Sequence, residues 1–392
     1  MPRVLRIINR FNLGGPTYNV SYLTRYLQPE FETLLIGGEK DDSEASSDYI
    51  VRSLGIEPVI IRNMRRSLNP WNDYRSYREI RKIIREFKPD IVHTHASKAG
   101  ALGRLAALKE NVPVIVHTFH GHVFHSYFSG FTTSLFKRVE RYLAGKSSAI
   151  IAISELQRNE LCDQFHICSR EKTEVIPLGF DLDRFQERRD EKRHSFRTRW
   201  NITEDEVVVS IIGRLVPVKN HALFLEAAAD CLEKTSEKVR FLIVGDGELR
   251  QELEQQLKTL CNNDPERIAH FTFTSWIREV DEVLAASDIV ALSSWNEGTP
   301  VSLIEAHAAS CPVVSTMAGG VEEIVTDGVS GYLCRPGDLR EFAGHLLKLI
   351  NSAETRQSMS EQAKSRVYQR FHYTRLVSDM RALYNRLLPK KA

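Results

Sequence analysis

The chain has 392 residues, 42% of them hydrophobic and 27% charged, with a net charge of +2 and six scattered cysteines. That length exceeds one ordinary core and suits two globular domains, while the cysteine spacing supplies neither a disulfide framework nor a zinc knuckle, as in a reducing cytoplasm. No apolar run nears the roughly 18 to 20 residues that span a bilayer, and the N-terminus enters strand-like sequence without an apolar leader core.

Residues 4–8, 33–36, 58–61, 90–93, 112–118 and 149–153 are short Val/Ile-rich runs that read as buried strands, with helical stretches such as 71–87 and 99–109 between them. This alternation predicts βαβ units on a parallel sheet. Residues 62–88 carry nine Arg or Lys against three acids. Such a basic face suits nucleic acid, an anionic membrane or a phosphorylated acceptor, and equally a solvated helix surface. Pro177, Gly179 and the charged stretch 187–199 mark a domain junction. The strand pattern restarts at 207–212, 239–244, 268–274, 288–292 and 312–315, with helices beginning near Asn220, Glu248, Val301 and Leu339, and the chain is helical from Ala353 onward.

Ligands of open parallel sheets bind at the C-terminal strand ends, so the loops there are the candidate site. After the first strand come Gly14 and Gly15, which let backbone amides approach a ligand, although the G-x-G-x-x-G fingerprint is absent. Four histidines crowd residues 117–125 without a nearby acid, a poor metal set. Of these, His120 is best placed to meet a sugar hydroxyl, or else serves as a cap. Gly213, Arg214 and Lys219 lie where a strand gives way to a helix, and two cations so placed make a clamp for a diphosphate. The segment Val244 to Glu248 reads as a plain turn. Glu297 and Glu305 bracket Gly298, Thr299, Pro300, Val301 and Ser302. Here Thr299 is expected at the N-cap, Pro300 in the first turn, and the amides of Val301 and Ser302 facing an anion. Gly319 and Gly320 add further amides after another strand.

In order and spacing these motifs resemble the family 4 retaining glycosyltransferases. The carriers are Gly14-Gly15, His120, Gly213-Arg214-Leu215 with Lys219, the Glu297-to-Glu305 spacing and Gly319-Gly320. The resemblance implies the α/β GT-B fold, two Rossmann-like domains with parallel sheets facing across a cleft. The acceptor domain is expected at 1–183, the donor domain at 184–372, and a last helix from about 373 to 392 packing back on the first. It further implies that Arg214 and Lys219 neutralise a departing diphosphate, Glu305 holds the nucleotide ribose, and Glu297 meets the donor sugar. Gly14, Gly15 and His120 approach from the first domain. Gly213, Gly298, Thr299, Pro300, Val301, Ser302, Gly319 and Gly320 complete the donor cradle.

The implied reaction moves a hexose or N-acetylhexosamine from a nucleoside diphosphate sugar, UDP-linked by preference, to a lipid-linked or oligosaccharide acceptor in cell-surface polysaccharide synthesis. It needs no metal or other cofactor. No nucleic acid partner is expected, and the inner face of the membrane is a possible docking surface for a cytoplasmic protein. The alternatives are a nucleotide-sugar epimerase on the same fold and a non-catalytic nucleotide-sugar-binding protein.

Overall fold

The computed structural model describes residues 1–11, 15–39, 48–65, 67, 69–120 and 130–389. The chain forms two compact units, one made of Met1–Phe180 with Phe371–Ala392 and the other of Asp181–Arg370. It therefore passes between units twice, and the two crossings are tied together: the Phe180 amide donates to the Phe371 carbonyl at 2.8 Å and the Tyr373 amide to the Phe180 carbonyl at 3.0 Å.

The first unit is built on strands β1 (Arg3–Arg10), β2 (Glu32–Gly38), β3 (Val59–Ile60), β4 (Ile91–His95), β5 (Val114–Thr118), β6 (Ala149–Ala152) and β7 (Thr173–Val175). All pair in parallel, in the order β3-β2-β1-β4-β5-β6-β7. Parallel neighbours require crossovers, supplied here by helices α1 (Gly15–Tyr26), α2 (Asp48–Ser53), α3 (Pro70–Phe87), α4 (Ser97–Lys109), α5 (Gly130–Lys146) and α6 (Glu155–Asn159). Alternate residues of each strand face opposite layers. Val4, Val114 and Val116 join Leu23 of α1 and Leu27 just past it, whereas Leu5, Ile7 and Ile115 join Ile80 and Ile84 of α3 and Ala106 of α4. Helix α3 starts cleanly because Asn69 accepts from the amides of Trp71 and Asn72 and Pro70 has no amide to lose.

The second unit repeats the plan with β8 (Val207–Ile212), β9 (Val239–Val244), β10 (Phe271–Ser275), β11 (Ile289–Leu292), β12 (Val313–Thr316) and β13 (Gly331–Cys334), all parallel in the order β10-β9-β8-β11-β12-β13. Its helices are α7 (Arg189–Arg199), α8 (His221–Lys234), α9 (Arg250–Leu260), α10 (Pro265–Ile268), α11 (Val280–Ala286), α12 (Val301–Ala308), α13 (Leu339–Ile350) and α14 (Ala353–Phe371). One face of the sheet packs Val209 and Ile211 on Phe224 and Phe342, and the other packs Val208 and Leu242 on Phe196 and Val283.

The structure departs from the sequence reading at short strands and at strand starts near prolines. Strands β7 and β13 were not anticipated, being three and four residues long. Strand β5 begins at Val114 rather than 112, because Pro113 has no amide for the ladder. Strand β10 begins at Phe271 rather than 268, because Pro265–Ile268 forms a helical turn capped by Asp264.

The last helix, Tyr373–Leu387, belongs to the first unit. Its Leu376, Val377, Met380, Leu383 and Tyr384 are buried with Val4, Phe31, Val114 and Ile151. Arg375 fastens its start by donating from Nη2 to the carbonyls of Pro177 and Leu178, each at 2.7 Å. Leu376 is fully buried, so Leu376→Ala is expected to destabilise the first unit by about 2–5 kcal/mol. Denaturant unfolding, followed by a probe confined to that unit, measures this loss.

Candidate functional site

Each sheet reverses its winding once, between β1 and β4 in the first unit and between β8 and β11 in the second. Loops leaving the C-terminal strand ends diverge at such a reversal and open a crevice. The residues singled out from the sequence fall on or beside these loops.

In the second unit the loops after β8 and β11 are laced together. The Trp295 amide donates to the Val218 carbonyl at 2.9 Å, and the Ser293 hydroxyl donates to the carbonyls of Asn220 and Lys219 at 2.8 and 3.1 Å. This brings Lys219 Nζ within 2.5 Å of Glu297 Oε1, with their side chains 22% and 10% exposed. Ser294 donates its hydroxyl to the same carboxylate oxygen at 2.6 Å. Arg214, in the same loop as Lys219, is exposed and makes no side-chain hydrogen bond or ion pair with a described residue. Its guanidinium is thus an available anion donor beside a second, partly engaged cation.

Two glycine positions hold this arrangement. Gly319 has φ +59°, and a Cβ there would lie 1.8 Å from the Glu297 carbonyl oxygen, so only glycine lets the loop after β12 press on the loop after β11. Gly245 has φ +139°, and a Cβ would lie 1.9 Å from the Gly213 carbonyl oxygen. The segment from Val244 to Glu248 is therefore a packing turn that backs the Gly213–Lys219 loop, with the Leu215 amide donating to the Asp246 carbonyl at 3.0 Å. The Gly320 amide is spent on the carbonyls of Glu297 and Gly298 at 3.3 and 3.1 Å. It serves this close approach rather than offering a ligand donor. Gly298 faces open space.

Helix α12 starts one residue later than expected. Pro300 (φ −71°, ψ 98°) is the N-cap and Val301 the first helical residue, so Thr299 lies outside the cap. Proline's fixed φ holds the extended approach to the helix. The amides of Val301 and Ser302 still have no acceptor within the helix, as at any helix start. One turn on, Glu305 is half-buried, and burial pushes its carboxyl up to about 7, Arg184 acting in the opposite sense and Asp281 in the same sense. Asp281 is itself held by Arg184 and by Lys192, the latter at 2.9 Å.

In the first unit, Gly15 opens α1, and a Cβ there would touch Leu178 at 3.0 Å. Gly14 lies outside the described residues. His120, two residues past β5, is not a cap: its Nε2 lies 2.9 Å from Nδ1 of His95, the last residue of β4. Burial drives the His120 imidazole down to about 3. His93 is anchored at both nitrogens, by the Tyr384 hydroxyl and the Thr118 hydroxyl, each at 2.7 Å. His122 and His125 lie outside the described residues. Among the described residues no group of three or more His, Cys, Asp or Glu is placed to hold a metal ion, and no helix is long and apolar enough to cross a membrane.

Sequence reasoning missed Ser294, which anchors Glu297, and the pairing of His95 with His120. Ser294 lies two residues past the end of β11, a position that carries signal only once its neighbour across the sheet is known. His95 was visible two residues after His93 at a strand end.

Comparison with known proteins places this geometry. The family model for Glycosyltransferase Family 4 matches residues 13–184 and that for Glycosyl transferases group 1 matches residues 192–366. The chain is 28% identical to UDP-Gal:alpha-D-GlcNAc-diphosphoundecaprenol alpha-1,3-galactosyltransferase of Escherichia coli, over 88% of this chain and 87% of that protein. It is 23% identical to the capsular polysaccharide biosynthesis glycosyltransferase CapM of Staphylococcus aureus, over 83% and 84%. Among solved structures it superposes on Anabaena HepE in complex with UDP with a TM-score of 0.82 at 21% identity, covering 98% of this chain and all of that one. The lipopolysaccharide glycosyltransferase WaaG superposes at 0.71 with 16% identity, covering 96% and 98%. The chain belongs to the family 4 glycosyltransferases of the GT-B fold.

Proposed function

We propose that the chain is a retaining, metal-independent glycosyltransferase that moves a hexose or N-acetylhexosamine from a UDP-sugar to a lipid-linked or oligosaccharide acceptor in cell-surface polysaccharide assembly. The observation that carries this reading is the meeting of Lys219, Glu297 and Gly319 on strand-end loops at a winding reversal, with Arg214 open beside them. Support for the donor comes from HepE, whose complexes contain UDP and UDP-glucose. Support for the acceptor comes from the Escherichia coli relative, whose name specifies a diphosphoundecaprenol-linked sugar.

In this reaction the bond between the anomeric carbon and the donor phosphate oxygen breaks, and charge grows on the leaving diphosphate. Arg214 and Lys219 neutralise it, and each such donor in a water-poor site contributes about 3–4 kcal/mol. The acceptor hydroxyl oxygen bonds to the anomeric carbon on the face the phosphate leaves, so the configuration is kept, and its proton passes to the departing phosphate. Glu297 orients a sugar hydroxyl. On binding, the diphosphate competes with Glu297 for Lys219, which frees carboxylate oxygen for the sugar. Glu305 accepts from the ribose hydroxyls.

A membrane-facing role falls on α5 more than on the basic α3. In α3, Arg81 is spent on Glu110 at 2.6 Å and Lys82 pairs with Glu86, and Arg66 lies outside the described residues. Helix α5 exposes Leu135 (56%), Val139 and Tyr142 (57%) beside Arg138 and Lys146. Neither of these two cations has an ion-pair partner among the described residues. Apolar side chains flanked by free cations suit an anionic lipid surface.

Three measurements test this reading. With EDTA present and a UDP-sugar plus lipid-linked acceptor, Arg214→Ala and Lys219→Ala are each expected to lower kcat about 100- to 1,000-fold, Arg214→Ala without lowering Tm and Lys219→Ala with a lowered Tm, because Glu297 is left unpaired. Near-normal rates in both, or wild-type activity abolished by EDTA, overturn the clamp or the metal independence respectively. Affinity for UDP-glucose, whose esterified diphosphate lacks the ionisation near 6 of a terminal phosphate, is expected to rise by up to about tenfold per pH unit up to about 7, where the carboxylate form of Glu305 takes over, and then to level. Calorimetric titration across pH 5.5–8.5 reads this, and Glu305→Gln flattens it; the buried His120 and His221 titrate near 3 and 4, outside that window. Finally, Arg138→Ala with Lys146→Ala is expected to weaken sedimentation with phosphatidylglycerol-rich vesicles about fivefold or more, while neutral vesicles bind neither protein.

A further inference from the structure

The histidines of β4 and of the loop after β5 are not equivalent. His93 has a partner at each nitrogen. His95 and His120 each spend one nitrogen on the other, Nδ1 of His95 facing Nε2 of His120 at 2.9 Å, with their rings stacked at 5.2 Å between centroids. Their remaining nitrogens, His95 Nε2 and His120 Nδ1, are buried without a partner among the described residues. Leaving such groups unpaired is costly. The chain bears a second cost at the same place, because Ala96, which follows His95, is held at φ 65°, ψ 164°, outside the regions a residue with a Cβ favours. Unpaired polar atoms beside a strained backbone at a C-terminal strand end mark a position built to receive something polar.

We propose that His95 is a positioning residue for the transfer reaction: by holding Nε2 of His120 it commits Nδ1 of His120 to the ligand, so that the pair as a unit recognises a sugar hydroxyl. Both rings are neutral, since burial, with His93, His120, Arg6 and His117 beside it, keeps His95 well below its ordinary value, and burial does the same for His120. A neutral imidazole has one donor and one acceptor. Only one proton can lie between the facing nitrogens. If His95 donates it, His120 Nδ1 is a donor and His95 Nε2 an acceptor; if His120 donates it, the roles exchange. In either state the pair offers one donor and one acceptor, and an alcohol can meet both, donating its one O–H and accepting at oxygen. A carboxylate or phosphate, acceptor-only when ionised, would leave half of that complement unmet. The identity of the ligand rests on the glycosyl-transfer reading; the coupling between the two rings does not.

The test is nitrogen NMR on the full chain labelled at histidine. Wild type is expected to show a scalar coupling across the hydrogen bond between His95 Nδ1 and His120 Nε2, and one tautomer for His120. In His95→Leu the coupling disappears, His120 populates both tautomers, and kcat/KM falls about tenfold or more, the worth of one hydrogen bond. His95→Asn, whose amide can occupy the place of Nδ1, restores the single tautomer and most of the rate. Absence of the coupling in wild type, or an Asn variant no better than Leu, overturns the proposal. Should both variants fail to fold, the wild-type coupling still decides it. Should UDP fail to raise the wild-type Tm, the donor reading falls while the coupling remains an independent result.

Discussion

Parallel strands cannot be joined by tight turns. Each must return over the face of the sheet, through a helix, so every strand in a sheet of this kind delivers its C-terminal end to the same edge. Both units obey that constraint without exception in the described pairings. The chemistry follows from it. Lys219, Glu297 and Gly319 are a hundred residues apart at the extremes, yet they meet because β8, β11 and β12 are neighbours that all end there. His95 and His120 meet for the same reason, since β4 and β5 lie side by side.

The Lys219–Glu297 contact is partly shielded from water, and there a charge pair does two things at once. Its attraction offsets the cost of desolvating each partner, and removing one partner leaves the other exposed to the full cost. Ser294 lowers that cost for Glu297 by donating to the same oxygen. The pair is therefore poised rather than permanent: a ligand richer in negative charge than one carboxylate can take the ammonium group, while Glu297 keeps one donor. Glu305 is treated differently. Its carboxyl has no hydrogen bond with a described residue, and burial makes that carboxyl hold its proton to near neutral pH. A ligand that donates two hydroxyl hydrogens would favour the ionised form and repay that burial.

Much of the fold was legible because its determinants are local. Strands β8 and β9 were read to the residue from Val/Ile-rich runs between turn signals, and the start of α12 to within one residue. The edge strands β7 and β13 were not read, since three or four residues carry too little periodicity to stand out. The candidate site divides along the same line. Arg214, Lys219, Glu297 and Glu305 were visible as charged residues at strand-to-helix junctions. What the sequence withheld were relations across the sheet: that Lys219 leans on Glu297, that Gly320 spends its amide on the neighbouring loop, and that His120 stacks on a histidine 25 residues earlier. Those depend on strand order, which no local pattern encodes.

The terminal helix gives the order of strands a temporal meaning. Tyr384 closes the first core against Phe31 and fixes His93, yet it is separated from the rest of that core by the whole second unit. On the ribosome the first sheet emerges before the second unit but must wait, with the bed for Leu376, Met380 and Leu383 uncovered, until the whole second unit has been made. The unit that begins first is completed last, so a prematurely stopped chain would carry an exposed apolar seam, a natural mark for chaperones and proteases.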